Sequence, residues 1–173
     1  MRSMKKLKKS KVVLALSGGL DSTVLLHMML NEGYDEIHTL TFDYGQRHKR
    51  EVECALWQIE NCKKRYEAVI TNKVIDCSFL RDIATTSSLT NDKIDTPKIR
   101  EIAGDAQPVS YVPFRNMMFL SMCAAYAESV GAEKIVYGVT QVDSLSGYFD
   151  CDLTFVTAIN KVLTCFIIFE YLL

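Results

Sequence analysis

Six residues near the start of the chain, Ser17-Gly18-Gly19-Leu20-Asp21-Ser22, combine the residue types that bind a polyphosphate. The two glycines let the backbone approach an anion closely, and the hydroxyls of Ser17 and Ser22 add two donors. Asp21 would repel phosphate directly, but it can hold Mg²⁺ that bridges phosphate oxygens. The string Ser-Gly-Gly is also common in ordinary turns. The lysine of a Walker P-loop is missing from this loop.

Hydrophobic spacing predicts that this turn joins a strand to a helix. Residues 11–16 are a continuous apolar, β-branched run, which is typical of a strand buried in a parallel sheet. Strands alternating with helices predict an α/β fold, a doubly wound parallel sheet with helices on both faces. The other predicted strands cover 36–42, 68–77 (with a break near 71–72) and 134–138, and the predicted helices cover 21–31, 50–65, 114–130 and 155–163. Residues 81–107 are polar and are expected to be functional or disordered.

Polar side chains follow the second predicted strand. Sheets of this class bind ligands at the carboxyl ends of their strands. Gln46, Arg47 and His48 therefore lie beside the phosphate turn and can touch a nucleotide or a substrate. The alternative for Arg47 and His48 is simple solvation at the start of a helix.

Arg115 and Asn116 open the long apolar helix, just after Pro113. A guanidinium group at this position can form two parallel hydrogen bonds to a carboxylate or a phosphate. The alternative is a structural ion pair with a nearby carboxylate.

Asp143 and Asp150 flank a Gly147-Tyr148 turn. Their carboxylates can accept N–H groups from the edge of a purine-like base, or they can serve as caps and turn residues, a common use of aspartate. Tyr148 can stack on a base or act as a buried anchor. For Cys151, a buried inert thiol is favoured over a nucleophile.

Composition excludes several classes of function. The 173 residues carry a net charge of −1, so no strong field for nucleic acid or membranes is expected. The basic residues 2–11 are interpreted as a solvated tail before the first strand, rather than a phosphate-contacting arm. None of the six cysteines is spaced C-x-x-C, and no secretory signal is visible, which favours a cytoplasmic protein. Residues 162–173 are apolar but too short to span a bilayer.

The hexad resembles the signature of the PP-loop ATP pyrophosphatases, which include NAD synthetase, asparagine synthetase, GMP synthetase and tRNA-thiolating enzymes. Three further strings resemble the QueC family of 7-cyano-7-deazaguanine synthases. They are Thr41-Phe-Asp-Tyr-Gly-Gln-Arg-His48, Val112-Pro-Phe-Arg-Asn-Met-Met-Phe-Leu120, and the set Gly138, Asp143, Ser146-Gly-Tyr148 and Asp150-Cys151. The stretch Ser87-Ser-Leu-Thr90 lies near that family's S-A-L-T.

The resemblance implies a Rossmann-like fold of the adenine nucleotide alpha hydrolase type. The implied activity makes 7-cyano-7-deazaguanine from 7-carboxy-7-deazaguanine, ammonia and ATP with Mg²⁺. The implied catalytic residues are Asp21, Ser22, Arg115 and Asn116, with Asp21 also holding the metal. The implied nucleotide-binding residues are Leu16, Ser17, Gly18, Gly19, Leu20, Asp21, Ser22, Gln46, Arg47 and Gly138. The implied substrate-binding residues are Tyr44, Arg115, Asp143, Gly147, Tyr148 and Asp150.

The chain departs from the family pattern near its end. Phe149 stands where the family has proline, and Asp152 stands where it has arginine, beside the expected substrate pocket. The family's four-cysteine zinc segment has no counterpart, so residues 1–173 are expected to be one domain without zinc, with a truncated end. The resemblance implies a homodimer, and the net charge and the short apolar tail predict no direct nucleic-acid or membrane contacts. The alternatives are a nucleotide-binding homologue without full turnover and an enzyme that stops at the amide; another PP-loop amidotransferase lacks supporting motifs.

Overall fold

The computed structural model describes residues 10–45, 50–95 and 107–163, and the backbone of 168–172. The predicted basic tail therefore lies largely outside the described residues, and so does part of the predicted polar segment. The strands are β1 (Lys11–Ala15), β2 (Glu36–Asp43), β3 (Val69–Asp76), β4 (Lys134–Gly138) and β5 (Ile168–Leu172). The helices are α1 (Leu20–Asn31), α2 (Arg50–Arg65), α3 (Leu80–Ile83), α4 (Arg115–Val130), α5 (Gln141–Leu145) and α6 (Leu153–Leu163), and residues 149–151 form a 3-10 turn.

All strand pairs are parallel, and the strands lie in the order β3-β2-β1-β4-β5. The chain moves from β1 outward to β3 and then crosses back to β4 on the other side of β1. The order of the strands thus reverses between β1 and β4, and a crevice for a ligand is expected at their carboxyl ends. The predicted doubly wound α/β fold is confirmed.

Two apolar cores cover the two faces of the sheet because alternate residues of a strand point to opposite faces. Val13 of β1 packs in the core that contains α4 and α6, whereas Val12 and Leu14 pack in the core that contains α1 and α2. All three valine and leucine side chains are fully buried. This burial on both faces explains why β1 is a continuous apolar run.

Two features of the sheet differ from the sequence predictions. The predicted break near residues 71–72 is wrong, since β3 pairs with β2 along its whole length. Thr71 and Asn72 instead accept hydrogen bonds: the Thr39 hydroxyl lies 3.0 Å from the Thr71 carbonyl and 2.6 Å from Asn72 Oδ1. At the opposite edge, the apolar end of the chain adds β5 beside β4.

None of the helices in the described ranges combines the length and apolarity that a bilayer crossing requires.

Candidate active site

A cleft of about 310 Å³ lies at the carboxyl ends of β1, β2 and β4, where the strand order reverses. The start of α1 and the start of α4 also border it. Its lining residues are Ala15, Leu16, Ser17, Gly19, Leu20, Asp21, Ser22, Phe42, Tyr44, Glu51, Leu89, Arg115, Asn116, Phe119, Tyr137 and Gly138. Residues that are far apart in the sequence, including most of the hexad, thus meet at one site.

The hydroxyl of Ser22 closes the turn between β1 and α1. It accepts a hydrogen bond from the Gly18 amide at 3.2 Å and donates to the Gly19 carbonyl, whose oxygen lies 3.1 Å away. The Ser17 hydroxyl lies 3.0 Å from it and accepts from the Gly19 amide at 3.2 Å. Ser22 is buried and Ser17 is exposed. Ser22 therefore holds the shape of the loop, and Ser17 is the hydroxyl more open to a ligand.

Gly18 is required by both conformation and space. Its φ of +88° lies in the left-handed region that glycine tolerates best. A Cβ at this position would lie 2.1 Å from the carbonyl oxygen of Glu51 and 2.8 Å from the amide nitrogen of Ala55, both in α2. The loop backbone therefore packs directly on the backbone of α2.

The start of α1 offers backbone N–H groups to the cleft. Gly19 is its N-cap and has no side chain to satisfy the first amides of the helix. The positive end of the helix dipole adds to the attraction for an anion. Asp21 lies in the same first turn, exposed at the cleft, and Gly138 lies against it, since a Cβ on Gly138 would be 3.5 Å from Asp21 Cβ.

Arg115 brings a cation to the cleft and is held by Tyr44. Its Nη1 donates to the Tyr44 hydroxyl at 3.1 Å, and its guanidinium carbon lies 5.4 Å from the centre of the Tyr44 ring. Burial opposes the charge of Arg115, but the neighbouring Tyr44, Tyr137 and Asp150 together raise the pKa of its guanidinium. A permanent positive charge therefore faces the same space as the loop.

Asn116 and Asp150 form a buried pair beneath Arg115. The backbone N–H of Asn116 donates to Asp150 Oδ2 at 3.1 Å. The side-chain Nδ2 of Asn116 lies 3.4 Å from the Asp150 carbonyl oxygen and 3.5 Å from Cys151 Sγ. Both side chains are only 3% exposed. Burial raises the pKa of the Asp150 carboxyl, while the Asn116 amide and Arg115 act in the opposite direction. Asp150 is thus part of the support of the site, and it does not line the cleft.

The remaining residues of the predicted substrate set lie close together on the chain but outside the lining of the cleft. Asp143 makes a capping box at the start of α5, where its Oδ2 accepts from the Thr140 hydroxyl at 2.7 Å. The Tyr148 hydroxyl lies 2.7 Å from the hydroxyl of Ser110, and Gly147 has a φ of +87°. The structure therefore gives Asp143 and Tyr148 structural partners, and their contacts with a substrate stay predictions.

Three aromatic residues that border the cleft were not predicted as site residues: Phe42, Phe119 and Tyr137. Phe119 falls on the apolar face of its helix, and this spacing predicts a core position rather than a site residue. Tyr137 precedes Gly138 at the end of β4, and its closeness to that predicted residue is the signal that could have identified it. Leu89 of the Ser87-Ser-Leu-Thr90 stretch also reaches the cleft.

Gln46, Arg47 and His48 lie outside the described residues. Among the described residues, no cluster of three or more histidine, cysteine or acidic side chains is arranged to hold a metal ion. Asp21 is exposed beside the loop amides and fits the single carboxylate that a phosphate-bound Mg²⁺ needs, because Mg²⁺ takes its other ligands from phosphates and water.

Comparison with known proteins places these features in a family. The family described as queuosine biosynthesis protein QueC matches residues 11–167. A 7-cyano-7-deazaguanine synthase from Clostridium kluyveri is 40% identical over 153 residues, which are 88% of this chain and 63% of that protein. The chain therefore spans less than two thirds of the length of this relative.

Solved structures with the same fold share little sequence with the chain. The NH3-dependent NAD synthetase from Campylobacter jejuni is 16% identical, with a TM-score of 0.50 over 82% of this chain and 52% of that one. The U34-tRNA thiolase NcsA from Methanococcus maripaludis is 17% identical, with a TM-score of 0.53 over 95% of this chain and 51% of that one. At these identities the likeness supports the fold alone, whereas the sequence match over most of the chain shows that it belongs to the QueC family.

Proposed function

We propose that this protein uses ATP to convert 7-carboxy-7-deazaguanine and ammonia into 7-cyano-7-deazaguanine. The observation that carries the proposal is that the hexad loop and Arg115 line one cleft at the reversal point of a parallel sheet. The identity to a named 7-cyano-7-deazaguanine synthase supports the choice of substrate. The fold family supports the choice of ATP.

The proposed reaction forms and consumes two adenylates. The carboxylate oxygen of the substrate attacks the α-phosphorus of ATP, and pyrophosphate leaves. Ammonia then attacks the acyl carbon, gives the amide and releases AMP. The amide oxygen attacks the α-phosphorus of a second ATP and a second pyrophosphate leaves; loss of AMP and a proton from the adenylated imidate then gives the nitrile.

The residues of the cleft match the charges that such a reaction develops. The amides of the first turn of α1 would hold phosphate oxygens, and the Ser17 hydroxyl would add a donor by turning its proton from Ser22 to the ligand. Mg²⁺ held beside Asp21 would offset the charge of the triphosphate. Arg115, fixed by Tyr44, would bind the substrate carboxylate or the α-phosphate, since its fork of N–H groups suits either group.

The direct test is incubation of the protein with 7-carboxy-7-deazaguanine, ammonia and Mg-ATP, following AMP release and product mass. Asp21→Asn serves as the inactive control. Asp76→Asn serves as the matched control, because Asp76 is an exposed carboxylate at the end of β3 whose hydrogen bonds are local ones from Ser78, including its backbone amide at 2.8 Å. We expect the nitrile mass with wild type and with Asp76→Asn.

Two other results would change the assignment. AMP release no greater than that of Asp21→Asn, together with retained Mg-ATP binding, would leave only a nucleotide-binding homologue. AMP with the amide mass and without the nitrile would identify an enzyme that stops at the amide. We also propose that the protein is a homodimer. Size-exclusion chromatography with light scattering measures the molar mass of the native protein and tests this.

A further inference from the structure

Helix α4 begins in a strained way. Its N-cap residue is Phe114, at φ 52° and ψ 21°, and no side chain at that position caps the helix. A bulky residue in the left-handed region is unfavourable, and the first amides of a helix need acceptors. Asp150 supplies an acceptor instead. Its Oδ2 accepts a hydrogen bond at 3.1 Å from the backbone amide of Asn116, which is 34 residues away in the sequence.

Capping alone does not explain a negative charge at Asp150. The side chain is 3% exposed, and its Oδ1 lacks a hydrogen-bond partner among the described residues. A buried carboxylate with an unpaired oxygen is costly, and a neutral amide oxygen would accept the same N–H group. The charge must therefore act on something else if it contributes to function.

A chain of hydrogen bonds connects Asp150 to the cation of the cleft. Asn116 binds the Asp150 carboxylate through its backbone and approaches the Asp150 carbonyl through its side chain. Arg115 Nε in turn points at Asn116 Oδ1 at 3.4 Å, and Nη1 reaches Tyr44 at 3.1 Å. Arg115 and Asn116 line the cleft, whereas Asp150 does not. The carboxylate is thus connected to the guanidinium through Asn116 without itself lining the cleft.

We propose that Asp150 is a positioning residue whose ionised carboxylate fixes the start of α4 and orients the Arg115 guanidinium toward the anion in the cleft. The nature of that anion, a carboxylate or an α-phosphate, rests on the proposed function. This role differs from the contact with a base edge that the sequence pattern predicts for Asp150, because the carboxylate acts through Arg115 and Asn116.

Three variants separate positioning from simple support of the fold. Asp150→Asn keeps the shape and an acceptor for the Asn116 amide but removes the charge. Asp150→Ala removes both and is expected to lower Tm. Asp76→Asn removes an exposed carboxylate that also accepts a backbone amide, and serves as the matched control. We expect Asp150→Asn to keep the wild-type Tm or exceed it, and to lose about tenfold or more in kcat with a smaller change in KM.

A second readout does not depend on activity. The Arg115 Nε–Hε resonance, assigned by its loss in Arg115→Lys, is expected to shift or broaden in Asp150→Asn and to stay in place in Asp76→Asn. A wild-type kcat in Asp150→Asn would overturn the proposal. An unchanged Arg115 resonance would also overturn it, whatever the kcat, because the residue would then act without moving the guanidinium.

The two proposals can fail separately. If the wild-type protein makes no product, the proposed function fails, and the Arg115 resonance alone decides the role of Asp150. If Asp150→Asn does not fold, a purely structural role is sufficient and the positioning role is rejected.

Discussion

The rings of Phe42 and Phe119 stack face to face, with their centres 4.0 Å apart and their planes inclined by 7°. Phe42 lies at the end of β2 and Phe119 in the second turn of α4. The pair therefore joins the strand that leads to Tyr44 to the helix that carries Arg115, and the Tyr44 ring centre lies 5.8 Å from that of Phe119.

Phe119→Ala is expected to lower the free energy of unfolding by about 3 kcal/mol, because a buried ring is lost and a cavity remains. Chemical denaturation measures this change. Phe119→Leu keeps most of the apolar volume and should recover more than half of the loss. Equal stability of wild type and Phe119→Ala would mean that the stacked pair is not part of the core.

Gly18→Ala tests the close contact between the phosphate loop and α2. The added methyl group would lie 2.1 Å from the Glu51 carbonyl oxygen, so the loop or the helix must move, and both stability and Mg-ATP affinity should fall. Gly33→Ala is the matched control, because Gly33 has nearly the same φ, +85°, with no atom within 4 Å of its Cβ. The control should cost only the strain of a left-handed alanine, about 1 kcal/mol.

Isothermal titration with Mg-ATP and urea unfolding of both glycine variants provide the measurements. Similar losses in Gly18→Ala and Gly33→Ala would contradict the close packing of the loop on α2.

The stability of the protein should depend on the ionisation of Asp150. Burial raises the pKa of its carboxyl in the folded protein. The folded state therefore binds this proton more tightly than the unfolded chain, and the contribution of Asp150 to stability falls as pH rises through the raised pKa. Below the ordinary aspartate pKa, about 3.9, the carboxyl is protonated in both the folded and the unfolded protein, so burial of the charged form costs no stability.

Urea unfolding of wild type and Asp150→Asn across this range measures the effect. The stability of the variant relative to wild type should grow with pH and then level off above the native pKa. A relative stability that is constant with pH would mean that the folded state does not perturb this carboxyl.

The buried thiols should be inert in the native protein. Burial raises the pKa of Cys77 to about 11 and the pKa of Cys123 and Cys151 to about 12, whereas Cys54 is exposed. The thiolate is the reactive form, so iodoacetamide near pH 8 should label Cys54 and leave these three unlabelled until urea is added.

Peptide mass mapping reads the pattern, and Cys54→Ser identifies the fast site. Labelling of Cys151 as fast as Cys54 would reopen a nucleophilic role for Cys151, which lies against Asn116 at the base of the site.

The elements with strong periodicity were predictable from the sequence, and those set by local or distant hydrogen bonds were not. The bounds of α2 and β4 agree with the prediction, because each is a regular pattern ending at a clear break. The short α5 depends on the capping box between Thr140 and Asp143, and β5 depends on pairing with β4. Neither signal has a period that a sequence pattern can display.

The candidate site divides in the same way. The glycines of the hexad and Arg115 were identifiable because they follow a strand end or open a helix, positions that meet at one edge of a parallel sheet, whereas Tyr44 was implied by the family resemblance. The burial of Asp150 was not predictable from the sequence, because its partner is the backbone amide of Asn116 in α4. Residue type and spacing indicate that an aspartate is present, but only packing determines whether it faces a ligand or a neighbouring backbone.

The order of the strands in the sheet differs from the order in which they are synthesised. β1 emerges from the ribosome first, yet it lies at the centre of the sheet and needs β4 beside it, with Val12 aligned to Lys134. Until that later segment has been made, the nascent chain can pair β1 only with β2, and one edge of its most apolar strand stays open. Such an open edge is prone to aggregation, and a long-range parallel pairing of this kind slows folding. The same topology that creates the cleft therefore leaves an unpaired strand edge in the growing chain until β4 has been made.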